Sequence, residues 1–252
     1  MKKLILTCFL IIAGLNISIA QRFKASDFAN IGIEHNNLMN VAYNTILSQK
    51  LNNQNKSDLI PVLQNSLQSM KGYSQLDIDL GFKNLSNLGK EVINIDSNFY
   101  TFTNSSKIDR NTIPYLDKLY LIVMTENITS EDLTIAVENL ETEIYNDKNI
   151  NNNQLLIFYS GSNVAKYSNL YWEENITNWV ALNPKSQFAG KQKGRRIVGA
   201  DVAGGVAGAV GAAIVNLAPG VGQVAYGSAI VAGAVGSSIC EAGSQLMSWM
   251  GW

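Results

Sequence analysis

The chain has 252 residues, 46% of them hydrophobic, with 19 basic and 20 acidic side chains and one histidine. This length and composition are sufficient for a globular domain with a buried core. The acidic balance excludes a nucleic-acid partner, which requires a basic face extending over a whole domain.

Residues 1–20 have the pattern of a secretory signal peptide. Lys2 and Lys3 precede an apolar run, and a small-x-small cleavage site ends at Ala20. An uncleaved anchor fits less well, because the run is shorter than the ~20 residues that a membrane span requires. We therefore expect Sec-dependent export, with a location outside the cell, in the periplasm or in the envelope.

Removal of this segment changes the charge and the cysteine content. It leaves 17 basic and 20 acidic residues, a net charge of about −3, and Cys240 as the remaining cysteine. An internal disulfide is therefore excluded, so stability must come from packing.

Residues 21–185 predict one all-α domain. Asparagine-rich turns separate segments with apolar residues at helical spacing. Pro114 suits a first helical turn, Ser130 opens a further helix, and Asn183-Pro184 ends the last one. The helical segments are 38–46, 59–70, 116–123, 130–144 and 155–179, the last interrupted or bent near Gly161. A loop at about 73–111 contains only brief strand patterns, at 92–95 and 98–103.

The single histidine, His35, lies in the polar cluster Glu34-His35-Asn36. We interpret it as a surface or capping residue at a helix start, because no nucleophile motif or metal-ligand spacing accompanies it. The sequence therefore predicts no catalytic residue, no metal site and no cofactor. Gly220-Val-Gly222 resembles a dinucleotide fingerprint only weakly, since no strand pattern precedes it.

Residues 186–196 predict a basic linker, and 197–252 a glycine-rich hairpin that turns at Pro219-Gly220. Small residues recur four apart, so one face of each helix is almost free of side chains and two backbones can approach closely. We expect this glycine zipper to support helix packing or a homo-oligomer. The packing residues are Gly204, Gly208, Ala212, Ala229, Gly233 and Ser237.

The two zipper helices, 197–216 and 221–240, each have about 20 residues, the length that spans a bilayer. Asp201 lies near the start of the first helix, where Arg195 or Arg196 could neutralise it. The alternative is a pair of helices that pack on the preceding domain or on a second copy. The residues expected at the headgroup interface are Lys191, Lys193, Arg195, Arg196, Trp249 and Trp252.

The entry Arg195-Arg196-Ile197, the core Gly204-Gly205-Val206-Ala207-Gly208 and the tryptophan-bearing end resemble the glycine-zipper segments of class II bacteriocins and colicin-V-like microcins. The resemblance covers about 60 residues and implies insertion into a target cell's inner membrane. A Sec-type signal and a large preceding domain depart from that family. The front part, with Gly32 to Asn36 and Ala165 to Trp172, is similar to uncharacterised secreted bacterial proteins with glycine-rich tails, which implies no activity.

The sequence thus predicts an exported, non-enzymatic bacterial protein with a lipid-associating and potentially membrane-permeabilising hairpin. The alternative is an envelope-resident structural or adaptor protein, in which the hairpin is an anchor or an oligomerisation element.

Overall fold

The computed structural model describes residues 22–49, 93–96, 99–102, 108–182 and 191–215. Within these ranges the chain forms five α-helices and one short β-hairpin, which confirms the predicted all-α class. The helices are α1 (Ala29–Gln49), α2 (Ile113–Met124), α3 (Ser130–Asn146), α4 (Asn152–Ala181) and α5 (Lys191–Val215), and a 3₁₀ turn (Ala25–Phe28) precedes α1.

The strands β1 (Ile93–Asp96) and β2 (Phe99–Phe102) pair antiparallel, with Ile93 opposite Phe102, where the sequence alternates briefly. The signal peptide at 1–20, the helix predicted at 59–70 and the second zipper helix at 221–240 lie outside the described residues.

The apolar spacing of α2 and α3 correctly predicts which residues are buried. Pro114 occupies the first turn of α2, and the side chain of Thr129 caps α3 by accepting from the Asp132 amide at 3.0 Å. Both caps satisfy or remove amide groups that a helix start leaves unpaired. The buried apolar residues of the two helices are Leu116, Leu119, Tyr120 and Val123, and Leu133, Val137, Leu140 and Ile144.

The central helix α4 runs continuously for 30 residues and ends at Ala181, just before Asn183-Pro184 as predicted. It starts at a capping box: the Gln154 amide donates to Asn151 Oδ1 at 3.1 Å, and the Asn151 amide donates to Gln154 Oε1 at 2.5 Å. The predicted interruption near Gly161 is wrong. That glycine lies against α5, where an added Cβ would be 2.8 Å from Val206 Cγ2.

Helix α5 begins at Lys191, so residues 191–196 of the predicted linker are already helical. All fourteen residues from Ile197 to Val210 are buried, and the nine apolar side chains among them belong to the same hydrophobic core as α1 to α4. Close approach explains two of its glycines: a Cβ on Gly199 would lie 3.0 Å from Tyr120, and one on Gly205 would lie 3.0 Å from Val164. The first zipper helix is therefore packed on the preceding domain, the alternative that the sequence left open.

No helix in the described part of the chain is both long and apolar enough to cross a membrane. The predicted transmembrane hairpin thus has no spanning helix among these residues.

Arg22 fastens the start of the described chain to the end of α3. Its guanidinium donates to the carbonyl oxygens of Tyr145 at 2.9 Å, Asp147 at 2.8 Å and Ile150 at 2.7 Å. A cation at a helix C-terminus also interacts favourably with the helix dipole. This contact holds the segment before α1 against the α3–α4 turn.

Candidate functional site

His35 lies in the interior of α1, not at a helix start, and its side chain is fully buried. The interpretation of this residue as a surface or capping group was wrong. Helix α1 begins at Ala29, six residues earlier, so His35 lies in its second turn on the face that packs against α4 and α5. Within the polar cluster recognised in the sequence, His35 is therefore part of the core, while Glu34 and Asn36 are partly exposed.

The partner of His35 is Asp201, from the glycine-rich helix α5. His35 Nε2 lies 3.3 Å from Asp201 Oδ2, and neither side chain is exposed. The same oxygen accepts a hydrogen bond from Ser168 Oγ at 2.5 Å and another from Trp172 Nε1 at 2.9 Å. One carboxylate oxygen thus joins three helices, α1, α4 and α5.

The second ring nitrogen of His35 is held by Asn36. His35 Nδ1 lies 3.0 Å from Asn36 Oδ1, while Asn36 Nδ2 donates to the carbonyl of Tyr167 at 2.9 Å. Because the Asn36 amide nitrogen must face that carbonyl, its oxygen faces His35, and Nδ1 must carry a proton. Both ring nitrogens therefore face acceptor oxygens, an arrangement that suits the doubly protonated imidazolium.

The pKa of His35 is raised above its usual value. Burial alone lowers it, since the charged form loses its hydration, but the charge of Asp201 and the polar contacts with Asp201 and Asn36 outweigh that effect. We therefore treat His35 and Asp201 as a buried ion pair. Breaking such a pair leaves an uncompensated charge in the core, which costs about 3–5 kcal/mol.

The cluster contains a serine, a histidine and an aspartate, but not in the order of a hydrolase triad. In a triad the histidine contacts both the serine and the acid, so that it can take the hydroxyl proton. Here Ser168 and His35 instead share one oxygen of Asp201, and all three side chains are fully buried. This arrangement holds helices together and does not activate a nucleophile.

Arg195, predicted at a headgroup interface, is engaged within the bundle. It donates to Asn169 Oδ1 at 2.7 Å and to the carbonyl of Ile128 in the α2–α3 loop. Burial lowers its pKa, and nearby Glu173 opposes that shift. These groups line a pocket of about 600 Å³ together with Trp172. Because Trp172 also donates to Asp201, the buried cluster around Asp201 lies next to this pocket.

Helix α3 carries a second buried charged side chain, Glu141, which the sequence pattern did not predict. Glu141 accepts from Ser162 Oγ at 2.6 Å and from Lys166 Nζ at 2.9 Å, and it is only 7% exposed. The pair lines a cleft of about 830 Å³ between the 3₁₀ turn, α3 and α4, together with Tyr145, Tyr159 and Tyr167. In the described ranges no group of three or more His, Cys, Asp or Glu side chains is placed to hold a metal ion.

Only some of the predicted zipper residues lie in the described part of the chain. Gly204 and Gly208 are buried in α5, and Ala212 lies in the same helix. Their proposed partners Ala229, Gly233 and Ser237 lie outside the described residues, as do Trp249 and Trp252. The zipper contact itself therefore stays a prediction, as do the interfacial roles of Lys191, Lys193 and Arg196.

Sequence reasoning missed Ser168 and Trp172, and it offered Arg195 or Arg196 as the partner of Asp201, where the structure has His35. Two signals were present: Ser168 and Trp172 are four residues apart, hence on one helix face, and Asp201 is the sole charge in an otherwise apolar segment. A lone acid in a buried helix requires a cation, and the chain has one histidine. Which helix presents that histidine depends on tertiary packing, so spacing alone could not pair the two.

No protein-family model matches the chain, and comparison with curated proteins and with solved structures likewise found no match. The resemblance to bacteriocin segments accordingly remains an expectation from the sequence.

Proposed function

We propose that this is an exported, lipid-associating protein that keeps its glycine-rich helix α5 inside a helical bundle in water and exposes it at a lipid surface. Association with the surface does not require α5 to cross the membrane. The lipid partner is the one predicted from the sequence, and the bundle covers α5. Catalysis has no part in it.

The observation that carries the proposal is the environment of α5. From Ile197 to Val210 every residue is buried, and Asp201 is the one charged side chain among them. A helix without a polar face belongs either in a protein core or in lipid, because water would face apolar surface on every side. Glycines at close contacts also make α5 a weak helix once it leaves its neighbours.

The proposal requires α5 to separate from α4, and a disulfide can prevent this. A Cβ on Gly205 would lie 3.5 Å from Val164 Cβ, within the range for a disulfide. We therefore suggest Val164→Cys with Gly205→Cys in a Cys240→Ser background. Substitution of Val164 also removes Cγ2, the atom that a side chain at position 205 would otherwise meet at 3.0 Å.

Flotation with vesicles that contain phosphatidylglycerol is the measurement. The oxidised protein should associate about tenfold less than the same sample after reduction. The Cys240→Ser protein, oxidised and reduced in parallel, is the matched control and should not change. Equal association of the locked and reduced forms, or no association at all, contradicts the proposal. Release of a trapped dye separates permeabilisation from simple binding.

A second function, an envelope structural or adaptor protein, is favoured by a different observation. Arg195, near the start of α5, donates to Asn169 and to the Ile128 carbonyl, so this part of α5 already makes its contacts within the bundle. In this case α5 is a permanent core helix, and the partner binds the outer surface. The disulfide lock would then leave function unaltered, and sedimentation would report whether a homo-oligomer forms.

A further inference from the structure

The buried cluster ties α5 to two other helices, α1 and α4, through one charge. Asp201 is the only member contributed by α5, while His35 comes from α1 and Ser168 and Trp172 come from α4. Any movement of α5 out of the bundle must separate this carboxylate from the imidazole and from two hydrogen-bond donors. The strength of the attachment therefore depends on the charge of the ring.

The number of protons on the imidazole ring of His35 decides whether its contact with Asp201 is attractive. Nδ1 keeps its proton because it faces Asn36 Oδ1, so the proton that can leave is on Nε2. With that proton the ring is positively charged, and its Nε2 lies 3.3 Å from Asp201 Oδ2. Without it, a nitrogen lone pair faces a carboxylate oxygen in a dry core, and the interaction becomes repulsive.

Among the described residues, the following polar and titratable groups near the pair do not replace this proton. From α1, Asn36 is neutral and Glu34 is partly exposed. From α4, Tyr171 has its pKa raised to about 12, by burial in the first place, so it stays neutral where the imidazole titrates. Arg195 on α5 is directed to Asn169 and the Ile128 carbonyl.

We propose that the His35–Asp201 pair is a pH-sensitive clasp on α5, closed while the imidazole carries two protons and loosened when it loses one. Its regulatory role at a lipid surface rests on the function proposed above, whereas the clasp itself does not. The sign follows from linkage: a histidine whose folded pKa is raised stabilises the fold below its unfolded pKa. That stabilisation is lost as the pH rises through the folded value.

The unmodified chain offers a direct measurement, because His35 is its one histidine. In protein without a histidine tag, the ring signals in an NMR titration therefore belong to this residue. We expect the ring to titrate above about pH 6.5, the usual value for histidine. Titration at or below this value overturns the proposal, even if no variant can be purified.

Hydrogen exchange of the α5 amides reports whether the clasp holds the helix. Protection factors corrected for intrinsic exchange should fall as the pH passes the folded pKa. The fall should approach about tenfold for each unit by which that pKa exceeds the unfolded one. Constant protection of α5 across this range contradicts the clasp, because the helix would then be held independently of the ring.

Variants test the assignment to this pair. His35→Gln and Asp201→Asn should each abolish the pH dependence of α5 protection. The double variant should lose little more α5 protection than either single variant does. Glu34→Gln changes the neighbouring residue and should retain the wild-type profile. A pH dependence that persists in His35→Gln overturns the proposal.

Vesicle flotation then separates the two proposals. If both are correct, wild-type association rises between about pH 6 and about pH 9, and it is independent of pH in His35→Gln. If exchange follows the ring but no vesicles bind at any pH, the clasp stands and the lipid function fails. If vesicles bind equally at both values and exchange is constant, the clasp fails and the lipid function stands.

Discussion

Trp172 and Trp179 lie seven residues apart on α4, are both buried, and donate their indole N–H to acceptors of different charge. Trp172 Nε1 donates to the Asp201 carboxylate at 2.9 Å, whereas Trp179 Nε1 donates to the neutral Tyr171 hydroxyl at 3.0 Å. A hydrogen bond to a charged group contributes about 1.5–3 kcal/mol, against about 1 kcal/mol for a neutral one.

We therefore predict that Trp172→Phe lowers the free energy of unfolding by about 1 kcal/mol more than Trp179→Phe does. Each variant loses an indole ring edge together with the N–H, so the difference between them isolates the acceptor. Urea denaturation followed by circular dichroism measures both. Equal losses would mean that the Asp201 charge is compensated elsewhere.

Arg22 gives a second contrast at the residue scale. Its guanidinium binds the carbonyls of Tyr145, Asp147 and Ile150, an arrangement that the single ammonium of lysine cannot reproduce. Arg22→Lys should therefore cost about 1–2 kcal/mol of unfolding free energy. The exposed pair Lys118–Glu143 is the control: Lys118→Ala should cost less than about 1 kcal/mol. A lysine that restores full stability at position 22 would contradict this role.

The contact between α4 and α5 is close enough that adding a single methyl group should weaken it. In a free helix, Gly161→Ala would stabilise by about 1 kcal/mol, because alanine has the higher helix propensity. Here the new Cβ would lie 2.8 Å from Val206 Cγ2, and overpacking costs about 1–3 kcal/mol. We expect a net loss, and a smaller loss or a gain when Val206→Ala is already present. A double-mutant cycle on unfolding free energies measures this coupling.

Local patterns predicted the helices well where one face is apolar and the caps are local. In α2 and α3 the apolar spacing selects the buried residues, and Pro114 and Thr129 need only near neighbours to act. Gly161 misled the prediction, because glycine weakens an isolated helix, whereas here its missing side chain is what lets Val206 approach. From Ile197 to Val210, α5 is apolar on every side apart from Asp201, a composition that suits a core and a membrane equally, so its location could not be read from its own sequence.

At the scale of the whole molecule, the core is continuous through all five described helices, although the sequence suggested a domain followed by a separate hairpin. The linker composition at 186–196 favoured a boundary there. A polar segment with glycines and several positive charges ordinarily lies in solvent, but Arg195 donates to Asn169 and to the Ile128 carbonyl, which only the folded bundle brings together. Opening of α5 must therefore disturb the core as a whole, which links the proposed lipid function to global stability.

Because α5 shares the core of the bundle, the unfolding free energy should depend on pH. Two alkaline losses are expected. The first comes from His35, whose raised folded pKa stabilises the protein until the pH rises through it. The second comes from Tyr115 and Tyr171, whose pKa values are each raised to about 12, chiefly by burial, so that the folded state disfavours the ionised phenols. This loss begins near the usual tyrosine value of about 10.

His35→Gln should remove the first loss and leave the second, because it does not touch the tyrosines. Subtracting its profile from that of the wild type also removes the contributions of ionisable groups that the two proteins share. Urea midpoints at intervals from about pH 6 to about pH 11 provide the measurement. If the difference profile is flat, then the charge on His35 does not differ between the folded and unfolded states over this range, and α5 is held by packing alone.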